Sequence, residues 1–175
     1  LLDANITGDL TVKLKMGKPL FNWDEIPLTK KLDNKNITIN INGEKLVEGF
    51  CVNVGNPHII FFVEDCFSYN LKTIGPKIEN HEIFAEKVNV SFAKISRENH
   101  IYVNVWERGT GITKACGSAA CAIAVAAYKL NLTDRKVLVS FRGGDLKIVW
   151  KEDDDIIMTG PYEIEEAVEI NLMEL

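Results

Sequence analysis

The amino-acid sequence predicts an α+β fold, in which a strongly curved, mostly antiparallel and barrel-like sheet wraps round one central apolar helix. Short apolar runs of period two, separated by turns, far outnumber helical segments in the 175 residues. One longer segment, residues 119–130, is apolar on nearly every side. Because a helix without a polar face must be enclosed, we expect the sheet to surround it.

The first half of the chain is predicted to be mainly strands. Residues 9–17 alternate between apolar and polar side chains, as in a half-buried strand. Two further apolar runs, residues 37–41 and 45–54, flank Asn42–Gly43, and this pair favours a tight hairpin turn. Residues 59–63 form a short apolar run that is typical of a buried strand.

Two helices are predicted. Residues 69–80 suit a short helix that is interrupted near Gly75–Pro76, because proline disfavours a helical conformation in the residue before it. The central helix covers about Gly117 to Leu130. The remaining strands are expected at residues 88–95, 100–106, 137–141, 146–150, 156–159 and 167–173.

Composition excludes several kinds of partner. The net charge is -5 and no basic block occurs, so we expect neither nucleic acid nor a membrane as a partner. No apolar run is long enough to span a bilayer and no export signal is apparent, which favours a cytoplasmic protein. The four cysteines have no zinc-site spacing, so no metal is expected.

The most informative stretch runs from Trp106 to Ala122 and contains three glycines around a cysteine. It predicts a strand end, a tight loop, and a helix that opens at Cys116. Free backbone N–H groups at a helix N-terminus favour ionisation of a thiol and can dock a carboxylate. Gly117–Ser118 suits such donation, although Ser118 also fits a helix-capping role. This pattern indicates acid–base chemistry on a small anionic substrate.

Five other candidate residues also have simpler explanations. Glu107 and Arg108 form either an exposed charged pair or a ligand contact beside the glycines. Asn56 and His58 flank a proline in what is also an adequate turn. Asn89 interrupts an apolar strand, so it either faces outward or contacts a ligand.

Several motifs together resemble the diaminopimelate epimerases, which invert an amino-acid centre without pyridoxal phosphate. The matching pieces are Met16-Gly17-x-Pro19, Val54-Gly55-Asn56-Pro57-His58, Gly75-Pro76 with Glu79, His81 and Phe84, Val88-Asn89, Glu107-Arg108-Gly109-x-Gly111-x-Thr113-x-x-Cys116-Gly117-Ser118, Gly143-Gly144-x-Leu146, and Met158-Thr159-Gly160-Pro161. The run around Cys116 is highly specific, and the pieces occur in the family's order across nearly the whole chain.

The resemblance implies a mechanism with two cysteines on opposite faces of the α-carbon of diaminopimelate, interconverting the LL and meso forms. Cys116 is one of them, Glu107 lies beside it and assists proton transfer or holds the substrate ammonium, and His58 assists the opposing cysteine. Asn56, Asn89 and Arg108 would grip the distal amino-acid end, while Gly117 and Ser118 bind the reacting carboxylate. The family serves lysine and peptidoglycan-precursor synthesis, and no metal or organic cofactor is implied.

The main departure from the family pattern is a missing N-terminal segment. The segment that carries the family's first catalytic cysteine is not found, so the sequence resembles the second half of a two-domain epimerase. Residues 1–162 would form the C-terminal epimerase domain, with residues 1–10 as a linker from the missing N-terminal domain. Residues 163–175 would form a strand that packs on that domain; without it, the strand would be loose or swapped in a homodimer. We expect the isolated chain to be inactive.

Two alternatives stay open at this point. One is another racemase or isomerase of the same fold that acts on a different amino acid; the other is a non-catalytic binding module that retains half a site. Ala119, where a second glycine is common in the family, is a mild departure.

Overall fold

The computed structural model describes residues 3–8, 10–41 and 43–163. These residues form eleven strands and two helices. In chain order they are β1 (Asp3–Gly8), β2 (Thr11–Gly17), β3 (Ile37–Ile41), β4 (Glu44–Asn53), β5 (Pro57–Phe62), α1 (Leu71–Glu79), β6 (Asn89–Arg97), β7 (His100–Glu107), β8 (Gly111–Ile112), α2 (Gly117–Lys129), β9 (Lys136–Phe141), β10 (Gly144–Trp150) and β11 (Ile156–Pro161).

The strands lie in one sheet in the order β1-β2-β11-β10-β9-β7-β6-β5-β4-β3, and β8 pairs with β7 off this path. Only the pairs β5–β6 and β7–β9 are parallel among the described strands. The predicted α+β class with a mostly antiparallel sheet is therefore confirmed. Closure into a barrel is not, because β1 and β3 are free edges of the sheet within the described residues.

Helix α2 lies at the centre of the larger hydrophobic cluster. Every residue from Ala119 to Ala127 is buried, and the helix packs against β4, β5, β6, β9, β10 and β11. Its many alanines let strands approach on several sides at once. The helix predicted over residues 117–130 is confirmed, ending at Lys129 with Leu130 as the C-cap.

Helix α1 lies against a second hydrophobic cluster, and its prediction was wrong in one respect. The helix runs without interruption through Pro76. Proline forfeits one backbone hydrogen bond there, but Leu71 and Ile78 are buried and hold the helix in place. Gly75 also faces the ring of Trp106, where a Cβ atom would lie 2.5 Å from Cδ2. Tertiary packing thus outweighs the local preference of proline.

The N-terminal part of the chain differs from the prediction in the extent of its strands. The strand expected at residues 9–17 begins at Thr11, and residues 3–8, expected to be a linker, form the exposed strand β1 against β2. The hairpin expected at Asn42–Gly43 is confirmed by antiparallel pairing of Ile41 with Glu44. The strand predicted at residues 167–173 lies outside the described residues. The described part of the chain contains no helix that is long and apolar enough to cross a membrane.

Candidate active site

The sheet brings the candidate residues to one end of the neighbouring strands β5, β6 and β7, beside the N-terminus of α2. His58 in β5 is paired in register with Asn89 in β6. The next residue of β6, Val90, pairs with Trp106 of β7, so the chain leaves β7 at Glu107 near the same end. Strand pairing therefore gathers segments that lie far apart in the sequence.

Cys116 is the N-cap residue of α2, with φ −145° and ψ 114°. Its side chain is buried, with 8% of the residue exposed, and Sγ lies 3.4 Å from Oγ of Ser118. Ser118 is thus inside the first turn and is not the capping residue. The first N–H groups of a helix have no partner within it, which leaves the amides of Gly117 and Ser118 available to an anion.

A chain of side-chain hydrogen bonds links the thiol to a buried histidine. Nδ2 of Asn56 donates to Oγ of Ser118 over 3.2 Å, and Nε2 of His58 lies 2.8 Å from Oδ1 of Asn56. Because an amide oxygen only accepts, this Nε2 carries the proton. Nδ1 of His58 is then an acceptor, and it is buried without a hydrogen bond to any residue that the structure describes.

Burial keeps both the His58 imidazole and the Cys116 thiol, at the two ends of this hydrogen-bond series, neutral at pH 7. It lowers the pKa of His58 to about 3, and the positive charge of Arg108 adds to the shift. Burial also raises the pKa of the Cys116 thiol; the Glu107 carboxylate adds to this, whereas hydrogen bonds from Ser118 and the Ala119 amide oppose it. The expectation that the helix N-terminus would favour ionisation is therefore wrong here, because desolvation outweighs the helix amides.

Glu107 and Arg108 are held by different neighbours. Oγ1 of Thr113 donates to Oε1 of Glu107 over 2.5 Å. The Arg108 amide donates to Oδ1 of Asn89 over 2.9 Å, and its guanidinium Nη1 donates to the Glu86 carbonyl over 2.7 Å. A guanidinium has five N–H donors, so this bond leaves capacity for a ligand.

Of the two sequence-based interpretations of Asn89, the structure contradicts the one in which its side chain faces outward. It is only 2% exposed, so it does not face outward. Its Nδ2 donates to the Pro57 carbonyl over 2.9 Å while its Oδ1 accepts from the Arg108 amide. Asn89 therefore joins the start of β5 to the residue that follows β7, in addition to any contact it makes with a ligand.

Two residues around the site were missed as contributors by the sequence analysis. Thr113 orients the Glu107 carboxylate, and Glu79 accepts hydrogen bonds from Trp106 and Gly109 on either side of the Glu107–Arg108 pair. Both belong to the quoted motifs, which was the one available signal. Nothing local in the sequence shows which distant groups they bind.

The described residues thus place one thiol, one carboxylate and unpaired helix amides at a single edge. Such a set can bind a carboxylate and transfer a proton to or from one face of a carbon atom. No cluster of three or more His, Cys, Asp or Glu side chains suited to a metal ion occurs in the described ranges.

Solved structures with the same fold include a probable racemase and an epimerase. A probable proline racemase from Agrobacterium radiobacter matches 97% of this chain and 56% of its own, with a TM-score of 0.64 and 10% identity. A hydroxyproline epimerase from Agrobacterium vitis matches 91% of this chain and 52% of its own, with a TM-score of 0.62 and 10% identity. At this identity the likeness shows the fold alone.

The sequence comparisons define the family. The family model for diaminopimelate epimerase matches residues 50–165. Curated relatives include the diaminopimelate epimerases of Pelagibacter ubique, 48% identical over 98% of this chain, and Rhizobium meliloti, 46% identical over 94%. The chain belongs to the diaminopimelate epimerase family. It spans 64% and 57% of the length of these two relatives.

Proposed function

We propose that this chain is the C-terminal catalytic domain of a diaminopimelate epimerase, and that Cys116 is one of its two proton-transferring cysteines. The other cysteine would come from an N-terminal domain, to which residues 163–175 would return as a strand. The observation that carries the proposal is the hydrogen-bonded group Cys116–Ser118–Asn56–His58 at the N-terminus of α2, with Glu107 beside the thiol.

The raised pKa of Cys116 suits it to donate a proton in the resting state. The opposing cysteine, as thiolate, would remove the α-proton while the Cys116 thiol gives its proton to the other face. Cys116 then becomes the thiolate, and the reverse reaction starts from that state. Glu107 would assist this transfer or hold the substrate ammonium group. One thiol alone serves one face, so the 175-residue chain by itself should not invert the centre.

Substrate binding would use the groups left free at the site edge. The amides of Gly117 and Ser118 would bind the reacting carboxylate and stabilise charge as the α-proton leaves. Arg108 offers its unused donors to the distal carboxylate as a planar fork. Asn56 and Asn89 would complete that end of the pocket. The buried acceptor Nδ1 of His58 would face the opposing cysteine and assist it.

The proposal places the chain in the synthesis of lysine and peptidoglycan precursors, by interconversion of LL- and meso-diaminopimelate. It requires no metal or organic cofactor. A homodimer is compatible with the proposal, because the proposed active site around Cys116 uses only residues of one polypeptide, including its N-terminal domain.

The test uses the complete gene product with LL-diaminopimelate in D₂O. We expect inversion with incorporation of solvent deuterium, and a loss of roughly 100- to 10,000-fold in Cys116→Ser and Cys116→Ala. Cys66→Ala is the matched control, because Cys66 is a buried thiol in the other hydrophobic cluster, and it should keep its turnover. Full activity in the Cys116 variants would refute the assignment of Cys116. Turnover of proline instead of diaminopimelate would refute the proposed substrate and favour a racemase of another amino acid.

A further inference from the structure

Glu79 is a buried carboxylate for which the proposed chemistry has no use. It is the last residue of α1 and only 5% of it is exposed. A carboxylate removed from water is unfavourable unless hydrogen-bond donors replace the lost solvent. Its surroundings therefore indicate what the side chain does.

Both carboxylate oxygens of Glu79 accept hydrogen bonds from the segment that carries Glu107 and Arg108. Oε2 accepts from the indole Nε1 of Trp106 over 2.7 Å, and Oε1 accepts from the backbone amide of Gly109 over 3.0 Å. These donors immediately precede and follow the Glu107–Arg108 pair. One side chain thus anchors the segment on both sides of the pair, through the Trp106 indole before it and the Gly109 backbone after it.

Helix α1 makes this contact rigid. Gly75 lies four residues before Glu79, on the same face of the helix, and permits the Trp106 ring to approach so closely that a Cβ atom would lie 2.5 Å away. Lys87 contributes a weaker contact, with Nζ 4.0 Å from Oε1 of Glu79, and its own side chain is mostly exposed. The indole and the helix therefore pack together independently of the ion pair.

We propose that Glu79 is a positioning residue that sets the backbone course of residues 106–109 and thereby aims the Glu107 and Arg108 side chains. Glu107 ends β7 and Arg108 begins the turn that follows it, so a small rotation of this short segment would misdirect both side chains together. The effect of Glu79 on catalysis rests on the proposed function, whereas its effect on the backbone of residues 106–109 does not.

Glu79→Gln is the sharpest variant, because it keeps the size of the side chain but replaces one acceptor oxygen with an NH₂ group. Either Trp106 or Gly109 then faces a donor in place of an acceptor. In the complete protein we expect KM for LL-diaminopimelate to rise and kcat/KM to fall roughly 10- to 100-fold, since small misplacements of binding groups have effects of this size. A change that only reduced the amount of folded enzyme would lower apparent kcat and leave KM unchanged.

Two matched controls separate charge from position. Glu82→Gln removes an exposed carboxylate from the turn after α1, and Lys87→Met removes the distant ion-pair partner; both should keep KM within about twofold, as expected for exposed charges. Trp106→Phe removes one of the two donors and should raise KM less than Glu79→Gln, because the Gly109 bond remains.

Hydrogen–deuterium exchange of the peptide containing Gly109 gives a readout that does not depend on activity. We expect faster exchange at this amide in Glu79→Gln than in the wild type and both controls. Unchanged KM together with unchanged exchange would overturn the positioning role. If the wild type failed to turn over diaminopimelate, the proposed function would fall, and the exchange measurement alone would then decide the role of Glu79.

Discussion

The two helices of the described fold contribute to the candidate site in different ways. Helix α2 is buried all round and presents Cys116 at its N-terminus, within a chain of neutral hydrogen-bonding groups. Helix α1 buries one face and contributes Glu79, whose carboxylate holds the backbone around Glu107 and Arg108. The comparison shows that burial sets the protonation state of the thiol, whereas specific acceptors set the position of the charged pair.

The largest expected effect is a loss of folding stability at low pH, caused by the buried neutral His58 beside α2. Burial holds the folded-state pKa of His58 at about 3, below the unfolded value of 6.5. The unfolded chain therefore binds more protons between these values, so stability is fully present above pH 6.5 and is lost as pH falls toward 3. The loss from this group is at most roughly 5 kcal/mol. Urea unfolding of the wild type at pH 7, 5 and 4 measures it.

His58→Gln should remove much of that pH dependence, because an amide does not titrate and can still donate to Asn56. His81→Gln, in the turn after α1, is the matched control and should retain the wild-type slope. If the free energy of unfolding of His58→Gln depended on pH as strongly as that of the wild type, the buried neutral His58 would not govern acid stability.

The next largest effect on the free energy of unfolding is expected when one glycine of each helix is replaced by alanine. In α1, Gly75→Ala places a methyl group 2.5 Å from the rigid Trp106 ring, whereas in α2, Gly117→Ala meets the flexible thioether of Met158 at 3.0 Å. We expect Gly75→Ala to cost about 1–3 kcal/mol in the free energy of unfolding. Gly117→Ala should lie within about 0.5 kcal/mol, because the methionine can move. Equal costs in denaturant unfolding would contradict the difference in rigidity.

The smallest effect on stability concerns the thiols of α2 at high pH. Burial raises the pKa of Cys116 above its ordinary value of 9.0, and burial with the nearby Cys116 raises that of Cys121 to about 12. Above pH 9 the unfolded chain loses these protons first, so stability falls as pH rises, by at most about 1.4 kcal/mol per thiol between pH 9 and 10.

Alkylation by iodoacetamide resolves the two thiols directly. We expect slow labelling of Cys116 at pH 7.5, acceleration toward pH 10, and labelling of Cys121 only on unfolding, because that side chain is completely buried. Rapid labelling of Cys116 at neutral pH, measured by mass spectrometry, would show that its thiol is not held neutral as the structure indicates.

Alternating and all-apolar patterns were sufficient to predict most of the elements. The strands at residues 37–41 and 100–106 and the helix at residues 117–130 follow from side-chain periodicity, which is a local property. The interruption predicted at Pro76 failed because contacts with Trp106, thirty residues away in the chain, decide whether that helix continues. Closure into a barrel is not confirmed within the described residues, since alternation defines the faces of a strand and leaves its partners open.

By itself, the sequence determined the fold class and the position of Cys116 at the start of an apolar helix, since both depend on residues that are neighbours along the chain. Only the tertiary structure decided that the thiol is neutral, that Asn56 contacts Ser118 sixty-two residues later, and that Glu79 holds the loop around Glu107 and Arg108. Desolvation and hydrogen bonding act through space, so they depend on which distant segments the sheet brings together.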